Sequence, residues 1–346
     1  MNNITTLLLK TDVLSITLLL AIISFGCYDK TEKPTVDYHT HIQSPEMSKE
    51  MEKLCGTFIR CRDGKIPSAE ASDLLVSLDS GKVNRAAIMS MAYMAGMPEL
   101  ELSIDSQKQL TRHENEYVAH EAAKSNKLYS FFSVNPIHEY AIEEAEYWIN
   151  KGGHSGLKLH LANADIDLFN NEHVQKIRNL LNIVDSESMT ILIHLRTRNP
   201  EFGAREVEVV ISELIAKTPK STFIIAHAGS WGGFDEAAQV SLQAFTNAIK
   251  NGRLDRSKIF LDVAAVVVPE DIRKYYPIPE EELEKEGNMF VQQFRELDLN
   301  NWVFGSDWAP RENTLEPNKY IEVLLRAGMT NEELDAILAN SLPFLK

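Results

Sequence analysis

The chain has 346 residues, a formal net charge of −15 and a hydrophobic content of 44%, enough apolar side chain for a sizeable core. At that length it is two medium domains or one large one, and an α/β barrel is the usual way to be one. The acidic balance argues against a nucleic-acid partner, whose backbone needs a basic face.

The first 27 residues read as lying outside the fold. Lys10 precedes an apolar run from Val13 to Phe25 that is short for a membrane span and stops at Ser24-Phe25-Gly26-Cys27. A small residue before a cysteine at that place resembles a bacterial lipoprotein cleavage site. The resemblance implies a lipid on Cys27 and a protein anchored in the cell envelope, facing the periplasm or exterior; a simple exported protein or an uncleaved anchor is the other reading. Residues 28–33 then read as a polar tether, and 34–346 as the folded domain.

From residue 34 onward short apolar runs alternate with longer amphipathic ones. Eight runs read as strands: 35–39, 86–91, 128–134, 156–161, 190–195, 222–227, 259–263 and 302–305. Between them, Val174, Ile177 and Leu181, and Val207, Val210, Ile211 and Leu214, carry helical stripes, and 139–151 and 235–250 suit surface helices. Strands each followed by a helix predict a closed (β/α)8 barrel, and no Gly-x-Gly-x-x-Gly run supports an open dinucleotide-binding sheet. Two long connections, 42–67 and 265–290, are expected to rise over the C-terminal rim, where barrels do their chemistry. The first holds Cys55 and Cys61, which read equally as a disulfide or as two free thiols. The second holds the acidic run Pro279 to Glu286, expected to be a solvated helix. Thr330-Asn331-Glu332-Glu333 is a capping-box pattern that opens a last helix, expected to run through Leu345.

Asp37-Tyr38-His39-Thr40-His41 places two imidazoles at i and i+2, on one face of the first strand. Three later apolar runs also end in metal-ligand side chains, at His194, His227 and Asp307. A single histidine on such a run is more often a core residue. Four strand ends with the same feature argue jointly for a rim metal site, which needs three or four protein donors.

These residues resemble the amidohydrolase superfamily, in particular its amidohydrolase-related branch of metal-dependent hydrolases and decarboxylases. The resemblance rests on Asp37-x-His39-x-His41, Ile193-His194, Ala226-His227-Ala228-Gly229, Gly305-Ser306-Asp307-Trp308 and the closing Ile337-Leu338-Ala339-Asn340-Ser341. It implies that His39, His41, His194 and Asp307 hold a metal, one Zn²⁺ by preference, with Asp307 also shuttling protons and His227 polarising the substrate or positioning the attacking water, unless a second metal recruits it as a ligand. Lys158 and His160 share a face of the fourth strand. In binuclear members a lysine there is carboxylated and bridges two metals, so Lys158 and His160 stand as second-metal or substrate residues. Asp262 either orients a ligand or bonds loop backbone. Arg196 and Arg311 are candidate clamps for a substrate carboxylate, and Trp231 and Trp308 are candidate pocket walls. Histidines 113, 120, 138, 154 and 173 carry no expected metal role. The first functional reading is metal-dependent hydrolysis of a small carbonyl compound such as a lactone or cyclic amide. The alternative is non-oxidative decarboxylation, and the third is a lipoprotein that binds a small molecule without turnover.

Overall fold

Each of the eight apolar runs forms a strand in the computed structural model, which describes residues 35–345 apart from 60, 62, 80, 81, 276, 277 and 310–314. The leader with Cys27, the tether and Arg311 lie outside the described residues. The strands are β1 Val36–Thr40, β2 Arg85–Met89, β3 Leu128–Ser133, β4 Gly156–His160, β5 Thr190–His194, β6 Thr222–Ile225, β7 Ile259–Asp262 and β8 Trp302–Val303. All pair in parallel in chain order. The sheet curls back on itself: Tyr38 N donates to Phe304 O at 2.8 Å, Asp307 N to His39 O at 2.9 Å, and His41 N to Trp308 O at 2.7 Å. The fold is the (β/α)8 barrel that the strand–helix alternation predicts.

Buried on both faces, these strands have little to distinguish inside from outside in composition, as expected of a parallel sheet under helices. Ile191 and Ile193 face the helix layer, while Leu192 joins Phe131, Ile224 and Val303 in the barrel interior. The α-helices among the described residues are α1 Pro45–Glu52, α2 Ala71–Asp79, α3 Ile104–Ala122, α4 Ala141–Lys151, α5 Asn171–Ser186, α6 Ala204–Val209, α7 Glu236–Lys250, α8 Glu280–Phe294, α9 Pro317–Arg326 and α10 Asn331–Ala339, of which α1 packs in the cluster of the loops after β1 and β2. Side-chain oxygens satisfy the free amides at several of their starts. Ser103 caps α3, Asn170 caps α5 and Asp235 caps α7. The acidic run is the exposed start of α8, and Thr330 with Glu333 forms the capping box of α10.

That last helix ends at Ala339, six residues short of the expected Leu345. Asn340 turns extended, with ψ 130°, and its side-chain amide donates to Leu299 O and Trp302 O. Pro343 then opens a short turn that sets Phe344 against Tyr38, Tyr129 and Phe131 at the foot of the barrel. In the loop after β1, Cys55 and Cys61 are joined as a disulfide.

One irregularity bears on the site. Between Asp37 and Thr40 the register of β1 against β2 slips by one residue, a β-bulge. Val36 and Tyr38 belong to the apolar filling of the barrel, while His39, next to Tyr38 within the slip, also reaches inward, to Asp262 and Lys158.

Candidate metal centre

The polar groups gather where the strands end. β1 carries His39 with His41 one residue past its end, β4 carries Lys158 and His160, β5 ends in His194, and β7 ends in Asp262. His227 and Asp307 lie just past β6 and β8, and both have left-handed backbones, with φ of 55° and 59°. The sixth strand is therefore two residues shorter than expected, because Ala226–Gly229 breaks into a tight turn. Left-handed non-glycine residues are costly and persist where surroundings hold them, as at functional sites.

Hydrogen-bond partners fix how three of the imidazoles face. His41 Nδ1 lies 3.0 Å from Met89 O and His227 Nδ1 lies 2.8 Å from Ala264 O. A carbonyl only accepts, so each Nδ1 carries the proton and Nε2 keeps its lone pair. His39 Nδ1 is likewise bonded to the Asp262 carboxylate at 2.9 Å. Its Nε2 faces Lys158 Nζ at 3.1 Å and Asp307 Oδ1 at 3.7 Å, and His41 Nε2 faces the same oxygen at 3.4 Å.

His160 differs. Its Nδ1 accepts from Asn163 N at 3.2 Å, and its ring stacks on His194 with centroids 4.0 Å apart. His194 Nδ1 is buried with no hydrogen-bond partner among the described residues.

Donor atoms of His39, His227 and Asp307 all lie within 4.8 Å of one another, close enough to share one ion. The donor chemistry fits a divalent metal, since imidazole lone pairs and a carboxylate are the ligands such ions take. Of the ligands that the resemblance implies, His39 and Asp307 belong to this tight group and His41 adjoins it through Asp307. His194 stands outside it, against His160.

The electrostatics keep these groups ready to ligate. Burial, reinforced by the Lys158 charge, pushes His39 down to about 3 against the pull of Asp262. Burial also holds His160 and His194 well below the usual imidazole range. Burial lowers Lys158 to about 8, opposed by the nearby Asp307 and Asp262. Desolvation works against ionisation of Asp307, yet the contact with His41 and the other neighbouring imidazoles hold it below the normal carboxylate range.

The remaining candidates divide. Trp231 is half exposed at the mouth and stands edge-on to His194 and His160, at 5.5 and 6.3 Å between centroids. Tyr93 also packs against His160, at 5.1 Å between centroids. Trp308 is buried in the main core and bridges to Thr40. Arg196 is engaged by Asp235, the cap of α7, at 3.0 Å. Sequence reasoning passed over Tyr93 and Arg198; nothing in an isolated tyrosine or arginine marks it as a rim residue.

Comparison with known proteins agrees with this fold. No curated protein matches. Among solved structures, 5-carboxyvanillate decarboxylase from Sphingomonas paucimobilis is similar with a TM-score of 0.58 at 11% identity, over 89% of this chain and 97% of that one. The same enzyme from Novosphingobium aromaticivorans, with bound manganese, gives 0.54 at 10% identity, over 89% and 95%. An amidohydrolase from Burkholderia multivorans with bound zinc gives 0.58 at 10%, over 88% and 96%. These likenesses are of fold. The family model described as amidohydrolase matches residues 36–340, nearly the whole of the barrel, and the chain belongs to that amidohydrolase family.

Proposed function

We propose that the chain is a metal-dependent decarboxylase acting on a planar, carboxylate-bearing small molecule, replacing CO₂ by a proton. The observation that carries this reading is the mouth itself. A half-exposed indole at Trp231 and the phenol of Tyr93 adjoin the stacked His160 and His194, and the buried Lys158 amine sits beside the His39, His227 and Asp307 group. Aromatic walls take a flat ring, and a cation beneath them takes its carboxylate or hydroxyl oxygen. The structural neighbours named above include decarboxylases of an aromatic acid, which supports the same class.

His39, His227 and Asp307 would hold the metal, with the Nε2 lone pair of His41, 3.4 Å from Asp307 Oδ1, beside them as a further donor. Bound there, a zinc or manganese ion supplies Lewis-acid polarisation of substrate oxygens. Lys158 binds and orients the anion. As the bond between ring carbon and carboxylate breaks, its electron pair takes a proton from Asp307, which receives it from a substrate hydroxyl, and CO₂ leaves. Hydrolysis is the second reading, favoured by the ionised Asp307 carboxylate, which is 30% exposed and placed to take a proton from water. The Cys55–Cys61 disulfide supports the oxidising, extracytoplasmic location proposed from the leader.

Protein purified without chelator should carry one divalent metal per chain, and His39→Ala should lose it. Two metals per chain would instead assign Lys158 to a bridging carbamate. With hydroxybenzoates and lactones supplied in ¹⁸O water, decarboxylation yields CO₂ and a product free of solvent oxygen. A label in the product and no CO₂ would replace this reading by hydrolysis.

A further inference from the structure

We infer that Asp262 is the positioning residue of the centre: it fixes the tautomer of His39 and holds the turn that presents His227. The carboxylate is wholly buried at the end of β7 and reaches three groups. Oδ2 binds His39 Nδ1 at 2.9 Å, and Oδ1 accepts from His227 N at 2.7 Å and Ala264 N at 3.1 Å. It thereby ties β1, the turn after β6 and the turn after β7 through one side chain.

Each bond has a separate consequence. An ionised carboxylate only accepts, so His39 must keep its proton on Nδ1 and point the Nε2 lone pair at Asp307 and Lys158. Accepting from His227 N stabilises a turn in which His227 and Ala228 both have positive φ, 55° and 51°. The bond to Ala264 N acts on the same imidazole from the other side, because Ala264 O receives the proton of His227 Nδ1 at 2.8 Å. Two of the three tightly grouped donors are thus aimed by one residue that is not itself a donor in that group.

Asp37 provides an internal comparison. It is an equally buried carboxylate on β1 and accepts from His39 N at 3.0 Å and Ser306 N at 3.1 Å, touching no imidazole nitrogen. A merely structural buried acid should behave like Asp37.

The substitution Asp262→Asn keeps the size. Its amide oxygen can still accept from His227 N and Ala264 N, which turns the NH₂ group to His39 Nδ1. An NH₂ donates, so the His39 proton must move to Nε2, where the lone pair is lost. The claim about tautomers stands apart from the proposed function, and the claim about metal affinity rests on it.

The test is long-range ¹H–¹⁵N correlation of the imidazoles in metal-free protein, followed by zinc titration. Wild type should show His39 protonated on Nδ1. Asp262→Asn should show it protonated on Nε2, with zinc affinity ~10–100-fold weaker, whereas Asp37→Asn should leave the tautomer unchanged even if it lowers the melting temperature. An Asp262→Asn protein with the wild-type tautomer and wild-type zinc affinity overturns the inference. Should that variant not fold, the wild-type spectrum decides alone, and a His39 carrying its proton on Nε2 overturns it. A wild-type protein with the expected tautomer that binds no zinc would sink the metal reading and leave the positioning role of Asp262 in place.

Discussion

Gly305 lies where β8 leaves the barrel, and its missing side chain makes room for the site. A Cβ there would stand 3.0 Å from His39 Cβ, 3.1 Å from Ala264 Cβ and 3.4 Å from Asp262 Cβ. All three belong to rigid, buried backbone, so the crowding falls on the groups that aim the imidazoles. Gly305→Ala should cost about 1–3 kcal/mol of stability and weaken metal binding, read by urea unfolding and zinc titration. A variant equal to wild type in both would show that β8 has slack here. The ligand-type residues were legible because each closes an apolar run. Their orientation was not, since it depends on Met89 O, Ala264 O and Asp262, none of which adjoins in sequence the imidazole it holds. Lys158 was legible as a rim residue, but its approach to His39 follows from barrel curvature bringing β4 opposite β1.

Among the connecting elements, the loop after β5 holds the rim together through Arg198. Its Nε donates to Ala162 O in the loop after β4 at 2.8 Å, and its guanidinium pairs with both oxygens of Glu99 after β2. The same group lies over Phe58, the exposed ring in the loop closed by Cys55 and Cys61, at 5.4 Å. A planar fork is needed for these contacts, which an ammonium does not reproduce. Arg198→Ala and Arg198→Lys should therefore both speed amide exchange in 54–61 and 92–102 and raise KM more than they lower kcat. Unchanged exchange in those segments would contradict this role. Strand positions were legible almost to the residue, because apolar runs of this length under helices leave little choice. The bulge in β1 was not, since Val36 to Thr40 reads as an ordinary strand, and the break after Ile225 was hidden by the alanines around His227.

For the molecule as a whole, buried titratable groups set an acid limit. Burial holds His39 and His154 at about 3, and His160 and His194 well below the usual imidazole value. Each contributes stability that is complete above the unfolded imidazole pKa and is lost as pH falls towards the folded one. Burial raises Asp37 and Glu114 to about 7, and these contribute in the opposite sense, losing stability as pH rises towards 7. Burial also lowers His138 and raises Glu286. Between roughly pH 4.5 and 6.5 the lowered imidazoles outnumber the raised carboxyls among the described residues, so the unfolded metal-free chain binds more protons than the folded one and stability rises with pH. Urea midpoints of chelator-treated protein across that window should climb with pH; a flat or falling series would contradict the balance.

Closure of the barrel through its last strand also orders its synthesis. The edge running from Tyr38 on β1 to His41 just past it has its partners at Phe304 and Trp308, and the floor under Tyr38 is completed by Phe344. A chain emerging from its N-terminus must carry that edge unpaired for some 260 residues. Nascent forms are therefore open sheets with an adhesive edge and no complete centre. The catalytic apparatus comes into being as a unit, when the final few dozen residues arrive.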